Sequence, residues 1–253
     1  VLGNGTGVFV GGSAADSAIG ALVLDGLANV IAGNEFHGIN LFTGDDAIGH
    51  PIRGNAIFEN GGLGIKIFGT ESVMTPNDPG DADEGPNRIQ NHPELASATW
   101  NAAAGRVLLD YHVPTDPANA TYPLTVDLYL ADVDEQEGAL WLGSTAFFAD
   151  DFVAGGRTTR VPIQGPLEAG DAIVATATDD AGNTSEFGAP IVVPASAAGA
   201  LGAASLASPQ LLSRGRSSTG SGAASSSPVP APSASSLRAL TATRVSSVPS
   251  VAL

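Results

Sequence analysis

The densest run of oxygen ligands in the chain is Asn77-Asp78-Pro79-Gly80-Asp81-Ala82-Asp83-Glu84-Gly85-Pro86-Asn87. Hard cations such as Ca²⁺ take several oxygens from a flexible loop. Asp81-x-Asp83-x-Gly85-x-Asn87 sets side-chain oxygens on alternate residues, with Gly85 free to turn sharply. Asp78, Asp81 and Asp83 also repel one another, a cost that a divalent ion relieves. The expected metal ligands are therefore Asn77, Asp78, Asp81, Asp83 and Asn87, holding Ca²⁺ weakly, with a Kd of roughly 10⁻⁴ to 10⁻³ M. The pattern is only part of an EF-hand loop, because the glycine is displaced and no bidentate Glu stands at the required spacing. The competing reading is a solvated acidic connector whose Asp and Asn side chains cap turns. A weaker cation candidate, Asp179, Asp180 and Asn183, reads mainly as a hairpin turn.

Catalytic chemistry is less well supported. His37, His50, His92 and His112 are scattered with no HxH or HxxxH pairing, so they are expected at the surface or in turns rather than on zinc. GxSxG, P-loop and helix-opening GxGxxG motifs are absent. A glycosidase needs two carboxyls about 5 to 10 Å apart across the sugar bond. Asp45, Asp46 and Glu59 are the catalytic candidates for such an enzyme, with Arg53 or Lys66 as a lyase base. Asp45-Asp46 in a glycine-flanked loop reads more readily as a turn.

The 253 residues carry 26 acidic against 10 basic residues, for a formal charge of −16, and no Cys. That charge disfavours DNA and RNA, whose binding depends on Lys and Arg neutralising phosphates. Zero Cys removes disulfide scaffolds, thiolate metal sites and Cys nucleophiles together. No apolar run approaches the roughly 18 residues of a membrane span, so no membrane-spanning segment is expected. All 26 acids precede residue 195. Residues 195–253 are rich in Ala, Ser and Pro, with Arg214, Arg216, Arg238 and Arg244 as the charged residues. This segment has too little large apolar surface to offset the entropy of ordering, and a disordered tail or tether is expected.

The elements that would position these groups begin with an internal repeat. Asn29-Val30-Ile31-Ala32-Gly33-Asn34 through Phe42 aligns with Asn55 through Phe68 at a constant offset, matching Ile31 to Ile57, Asn34 to Asn60, Gly38 to Gly64, Ile39 to Ile65 and Leu41 to Ile67. Gly7, Val8 and Val10 supply a looser third copy. Each unit is a short apolar alternation followed by Asn or Gly at a turn. Such a unit cannot close its own core, so it stacks on its neighbours with equivalent side chains in register. A parallel β-helix of about three coils satisfies this. Asn34 over Asn60 then forms either an amide ladder or two independent turns.

At these residues the chain resembles a bacterial family of right-handed parallel β-helix repeat proteins. The resemblance continues from Leu63 to Leu95 through Gly64-Ile65, Asn77-Asp78, Asp81-x-Asp83, Gly85-x-Asn87 and Gln90-Asn91-x-Pro93, which look like the family's terminal coil and exit segment. Lys66 departs from it, standing where the family often has an acid. Beyond residue 105, alternations at residues 107–113, 124–130, 140–148, 158–163, 171–178 and 190–193 read as strands of an antiparallel sandwich. Val107, Leu109, Tyr111 and Val113 share one face, as do Leu124, Val126, Leu128 and Leu130, with Asp110 and Asp127 opposite. The stretch from Asp171 to Val193 resembles the last hairpin of immunoglobulin-like modules.

The expected fold is thus all-β: β-helix coils at 1–70, an Asp-rich exit segment and connector at 71–104, an immunoglobulin-like sandwich at 105–194, and a disordered tail at 195–253. The expected role is a non-enzymatic spacer or adhesion module of a larger bacterial protein, extracellular or at the cell surface, with polysaccharide or a surface protein as partner. The alternative is a fragment of a β-helix polysaccharide lyase or glycoside hydrolase.

Overall fold

The offset between repeat copies becomes strand register. In a computed structural model that describes residues 3–20, 29–42, 47–69 and 71–194, β1 (Val8–Val10), β3 (Ile39–Leu41) and β5 (Ile65–Ile67) form one parallel sheet, while β2 (Val30–Ala32) and β4 (Ala56–Phe58) form a second. Ile31 pairs with Ile57, Ile39 with Ile65, and Val8 with Ile39. A parallel bridge between Ile19 and Ile52 marks a third side. The tiers bury Ile31, Ile39, Leu41, Ile52, Ile57, Ile65 and Ile67 in one cluster.

The repeat's glycine exists for close approach. A Cβ on Gly38 would lie 2.7 Å from the Gly64 carbonyl oxygen and 2.7 Å from Ile57 Cγ2, and one on Gly7 would lie 2.6 Å from the Gly38 oxygen. The asparagines form the ladder rather than independent turns. Asn34 Nδ2 donates to Asn60 Oδ1 at 2.7 Å, Asn34 N donates to the same oxygen at 3.1 Å, and Asn4 N donates to Asn34 Oδ1 at 3.3 Å. A second rung joins Asn29 Nδ2 to Asn55 Oδ1 at 2.9 Å.

Residues 94–192 are antiparallel. One sheet has the order β10-β7-β6, from β6 (Glu94–Asn101), β7 (Arg106–His112) and β10 (Arg157–Pro162). The other has the order β12-β11-β8-β9, from β8 (Leu124–Ala131), β9 (Gly138–Phe147), β11 (Ala172–Thr178) and β12 (Ile191–Val192). Val107, Leu109, Tyr111, Leu124, Val126, Leu128 and Phe147 fill the space between them. A short helix, α1 (Ala149–Ala154), follows β9 and ends on Gly155 in the left-handed conformation.

Three differences from the sequence reading have physical causes. Glu94–Asn101, placed in the connector, is a strand paired with β7 from Glu94↔His112 to Asn101↔Arg106. The antiparallel sheets do not pack apart from the parallel strands beyond a linker. Tyr129, Val174 and Phe187 join the same buried cluster as the isoleucines of the parallel strands, so the β12-β11-β8-β9 sheet is covered on both faces. The segment 71–93 is solvated only in part: residues 71–80 and 82–84 are exposed or half-buried, whereas Asp81, Asn87, Gln90, Asn91 and His92 are buried. There Asn87, Arg88 and Ile89 take left-handed φ values of 47, 54 and 49° in succession, a run that costs about 1 to 2 kcal/mol per residue unless its surroundings hold it. The tail at 195–253 lies outside the described residues.

Candidate functional site

The most highly built polar region is the seam where the parallel strands meet the β12-β11-β8-β9 sheet. The last parallel segment has backbone N–H groups with no further parallel strand to receive them, and burying them unpaired is costly. Here side-chain acceptors stand where the carbonyls of another strand would. Gly49 N donates to Asn183 Oδ1, Ile52 N to Thr184 Oγ1 and Ile67 N to Glu186 Oε1, each at 2.9 Å. Gly54 N donates to the Tyr129 hydroxyl at 3.0 Å, Asn60 N to Glu137 Oε2 at 2.9 Å, and Glu59 N to Asp132 Oδ2 at 3.3 Å. The asparagine ladder ends on the same carboxylate, Asn60 Nδ2 donating to Glu137 Oε1 at 2.8 Å.

Two ion pairs cross the seam. Asp127, fully buried, accepts from Arg53 Nε at 2.6 Å, Arg53 Nη2 at 3.0 Å, Trp141 Nε1 at 3.1 Å and the Ser144 hydroxyl. Lys66, 4% exposed, donates to Val73 O at 2.9 Å, Thr75 Oγ1 at 3.0 Å and Glu186 Oε1 at 3.2 Å. Lys66, the departure from the resembled family, is therefore committed to the seam.

Four of the five expected cation ligands make hydrogen bonds within the protein. Asp81 Oδ1 accepts from Asn91 N, while its Oδ2 accepts from Gln90 Nε2 and Thr115 Oγ1. Asn87 Oδ1 accepts from His50 N, and its Nδ2 donates to the carbonyls of His50 and Thr184, so the side chain stitches exit segment, coil and final hairpin together. Asn77 Oδ1 accepts from His92 N, and Asp78 Oδ2 from Ala82 N. Asp83 is exposed. Asp179 and Asn183 bond to each other within a turn, Asn183 N donating to Asp179 Oδ1 at 2.8 Å. Of the catalytic candidates, Asp45 and Asp46 lie outside the described residues. Glu59 is exposed in an open hollow with Asn4, Asn34, Glu35 and Asn60.

The histidine expectation is corrected. His37, His50 and His92 are buried, because the first two tie tiers together: Leu63 N donates to His37 Nδ1, Ser17 N donates to His50 Nδ1, and His50 Nε2 donates to Ala14 O. The sequence reading also missed Asp132, Asp134 and Glu137. Their carboxylate oxygens lie within 4.8 Å of one another, which makes them the group among the described residues with metal-holding geometry. The signal was the acid-rich tip Asp132-Val133-Asp134-Glu135-Gln136-Glu137 between two apolar strands.

Burial first, and then the Asp132 charge, push the Glu137 carboxyl up to about 7 against the lowering effect of the Asn60 hydrogen bonds. Burial likewise raises Asp81 to about 7 and lowers His92. A carboxyl raised in the folded state adds stability that is complete below its ordinary pKa and disappears as pH rises through the folded value. His92 acts in the opposite sense, stabilising above its ordinary value and losing that contribution as pH falls. Glu137→Gln isolates one of these groups. In urea melts, wild type is expected to lose stability relative to this variant as pH rises from about 4.5 to about 7.5. A difference independent of pH would show that the Glu137 carboxyl titrates as it does in the unfolded chain.

No protein-family model matches the chain, and no curated protein sequence matches it. Among the described residues no helix is long and apolar enough to cross a membrane.

Proposed function

We propose that this chain is a non-enzymatic structural and adhesion module of a larger secreted or surface-attached bacterial protein. In this reading residues 1–70 are a short right-handed parallel β-helix, and an immunoglobulin-like sandwich closes its last coil. The observation that carries the proposal is the seam itself. Six backbone N–H groups of the last coil are received by sandwich side chains, and two ion pairs are committed across it. Polar groups satisfied in this way hold two halves in one orientation, the property a spacer needs when it presents its faces to polysaccharide or to another surface protein. The acidic composition argues against nucleic acid as the partner.

Incubation with a panel of neutral and acidic polysaccharides is expected to release neither reducing sugar nor unsaturated product. Turnover that disappears in Asp46→Ala or Glu59→Gln would replace this reading with that of a carbohydrate-active fragment.

A further inference from the structure

Thr115, Gln90 and Asp81 form a dry three-way contact outside the capping bonds of the seam. Thr115 is fully buried, and Gln90 and Asp81 are each 4% exposed. Asp81 Oδ2 lies 3.0 Å from Thr115 Oγ1 and 2.6 Å from Gln90 Nε2, while Gln90 Nε2 lies 2.9 Å from Thr115 Oγ1. A hydroxyl, a carboxamide and one carboxylate oxygen that touches both make up the parts of an acyl transfer.

The geometry points to an intramolecular ester between Thr115 and Gln90, formed with Asp81 as proton shuttle and ammonia as leaving group. Asp81 Oδ2 takes the Thr115 hydroxyl proton as Oγ1 attacks Gln90 Cδ, and the carbonyl electron pair moves onto Oε1. When that pair returns, the Cδ–Nε2 bond breaks and Asp81 passes the same proton to the departing nitrogen. One O–H and one C–N bond are lost, one C–O and one N–H bond are gained, and no oxidant or co-reactant is required. Escape of ammonia into solvent draws the exchange forward.

The surroundings favour this chemistry. Asn91 N, 2.9 Å from Asp81 Oδ1, fixes the carboxylate plane. Thr115 is held on both sides of its side chain, its N donating to Val113 O and its carbonyl accepting from the Tyr122 hydroxyl. The Thr115 hydroxyl and the Gln90 amide both reach Asp81 Oδ2, so one oxygen lies within reach of both ends of the proton transfer, as general acid–base catalysis demands. The burial of all three side chains also shields the finished ester from hydrolysis. Gln90 precedes β6 and Thr115 follows β7, whose first paired residues are Glu94 and His112. The bond therefore staples the open end of that hairpin beside the exit segment.

Intact-mass spectrometry of the full chain tests this directly, independently of the proposed role. The expected mass is lighter than the sequence mass by one ammonia. Cleavage after Arg88, Arg106 and Arg157 puts Gln90 in the peptide 89–106 and Thr115 in the peptide 107–157. These should run as one linked species that mild alkali separates. Thr115→Ser should retain the link, whereas Thr115→Val and Asp81→Asn should return the full mass and two free peptides. Loss of the crosslink in Thr115→Val should lower Tm by about 10 °C. Wild-type protein at its full sequence mass, or an ammonia loss with the two peptides unlinked, overturns the proposal, and neither readout depends on a variant folding. A link retained in Asp81→Asn overturns the shuttle.

Discussion

Asp127→Ala is expected to destabilise the fold by about 3 to 5 kcal/mol, with Tm falling by roughly 10 °C or more. Asp127 sits in the middle of β8 on the face turned toward the parallel strands, and cross-strand pairing with Ser144 brings β9 donors to it. Both carboxylate oxygens are used: Oδ2 by Arg53 Nε, Oδ1 by Arg53 Nη2, Trp141 Nε1 and the Ser144 hydroxyl. Truncation removes one acceptor group but strands a guanidinium, an indole N–H and a hydroxyl, and stranded donors dominate such losses. Arg53→Ala should cost less, because Asp127 keeps Trp141 and Ser144 and the Arg53 side chain is 23% exposed. Asp127→Asn should fall between the two, since its Nδ2 would meet an arginine N–H head-on. Urea melts of the three variants check the order, and equal losses for Asp127→Ala and Arg53→Ala would mean that the ion pair alone accounts for the effect.

How much of this was legible in the sequence depended on periodicity. Val107, Leu109 and Tyr111 alternate at period two and are buried on one face as that pattern requires. The constant offset between Asn29–Phe42 and Asn55–Phe68 translates directly into the pairing of Ile31 with Ile57 and Asn34 with Asn60. Glu94–Asn101 was illegible as a strand because only Leu95 and Trp100 among its eight residues are large and apolar, at a spacing that does not alternate, and Ala98 is its one buried member. The seam was illegible for a different reason. Asp127, Glu137 and Glu186 find partners 74, 77 and 119 residues away, and no local pattern encodes such a meeting. A trace was nonetheless present. In Leu124-Thr125-Val126-Asp127-Leu128-Tyr129-Leu130 a carboxylate interrupts a strand whose other face is already apolar, and β11 reads as Ala, Ile, Val and Thr throughout. A strand apolar on both faces implies a layer on each side, and a carboxylate between two layers implies buried donors waiting for it.

The same logic yields the second large effect, at the pair Lys66 and Glu186. Glu186 accepts four hydrogen bonds, from Lys66 Nζ and Ile67 N at 3.2 and 2.9 Å, and from Thr75 Oγ1 and Thr75 N at 3.0 and 2.7 Å. Both ionic side chains are 4% exposed. Glu186→Ala leaves an ammonium buried without its counter-charge and releases β5, the last strand of the parallel sheet, from its cap. A loss of about 3 to 5 kcal/mol follows. Lys66→Met should be milder, because methionine fills much of the same volume and Glu186 keeps the Ile67 and Thr75 donors. Combining Lys66→Met with Glu186→Gln removes both charges while Gln still offers one acceptor to Ile67 N. The double variant should therefore be more stable than Glu186→Ala by about 2 kcal/mol or more. If chemical melts show the double variant no better than Glu186→Ala, the pair's worth lies in hydrogen bonds rather than in balanced charge, and the cap at Ile67 N becomes the dominant contribution.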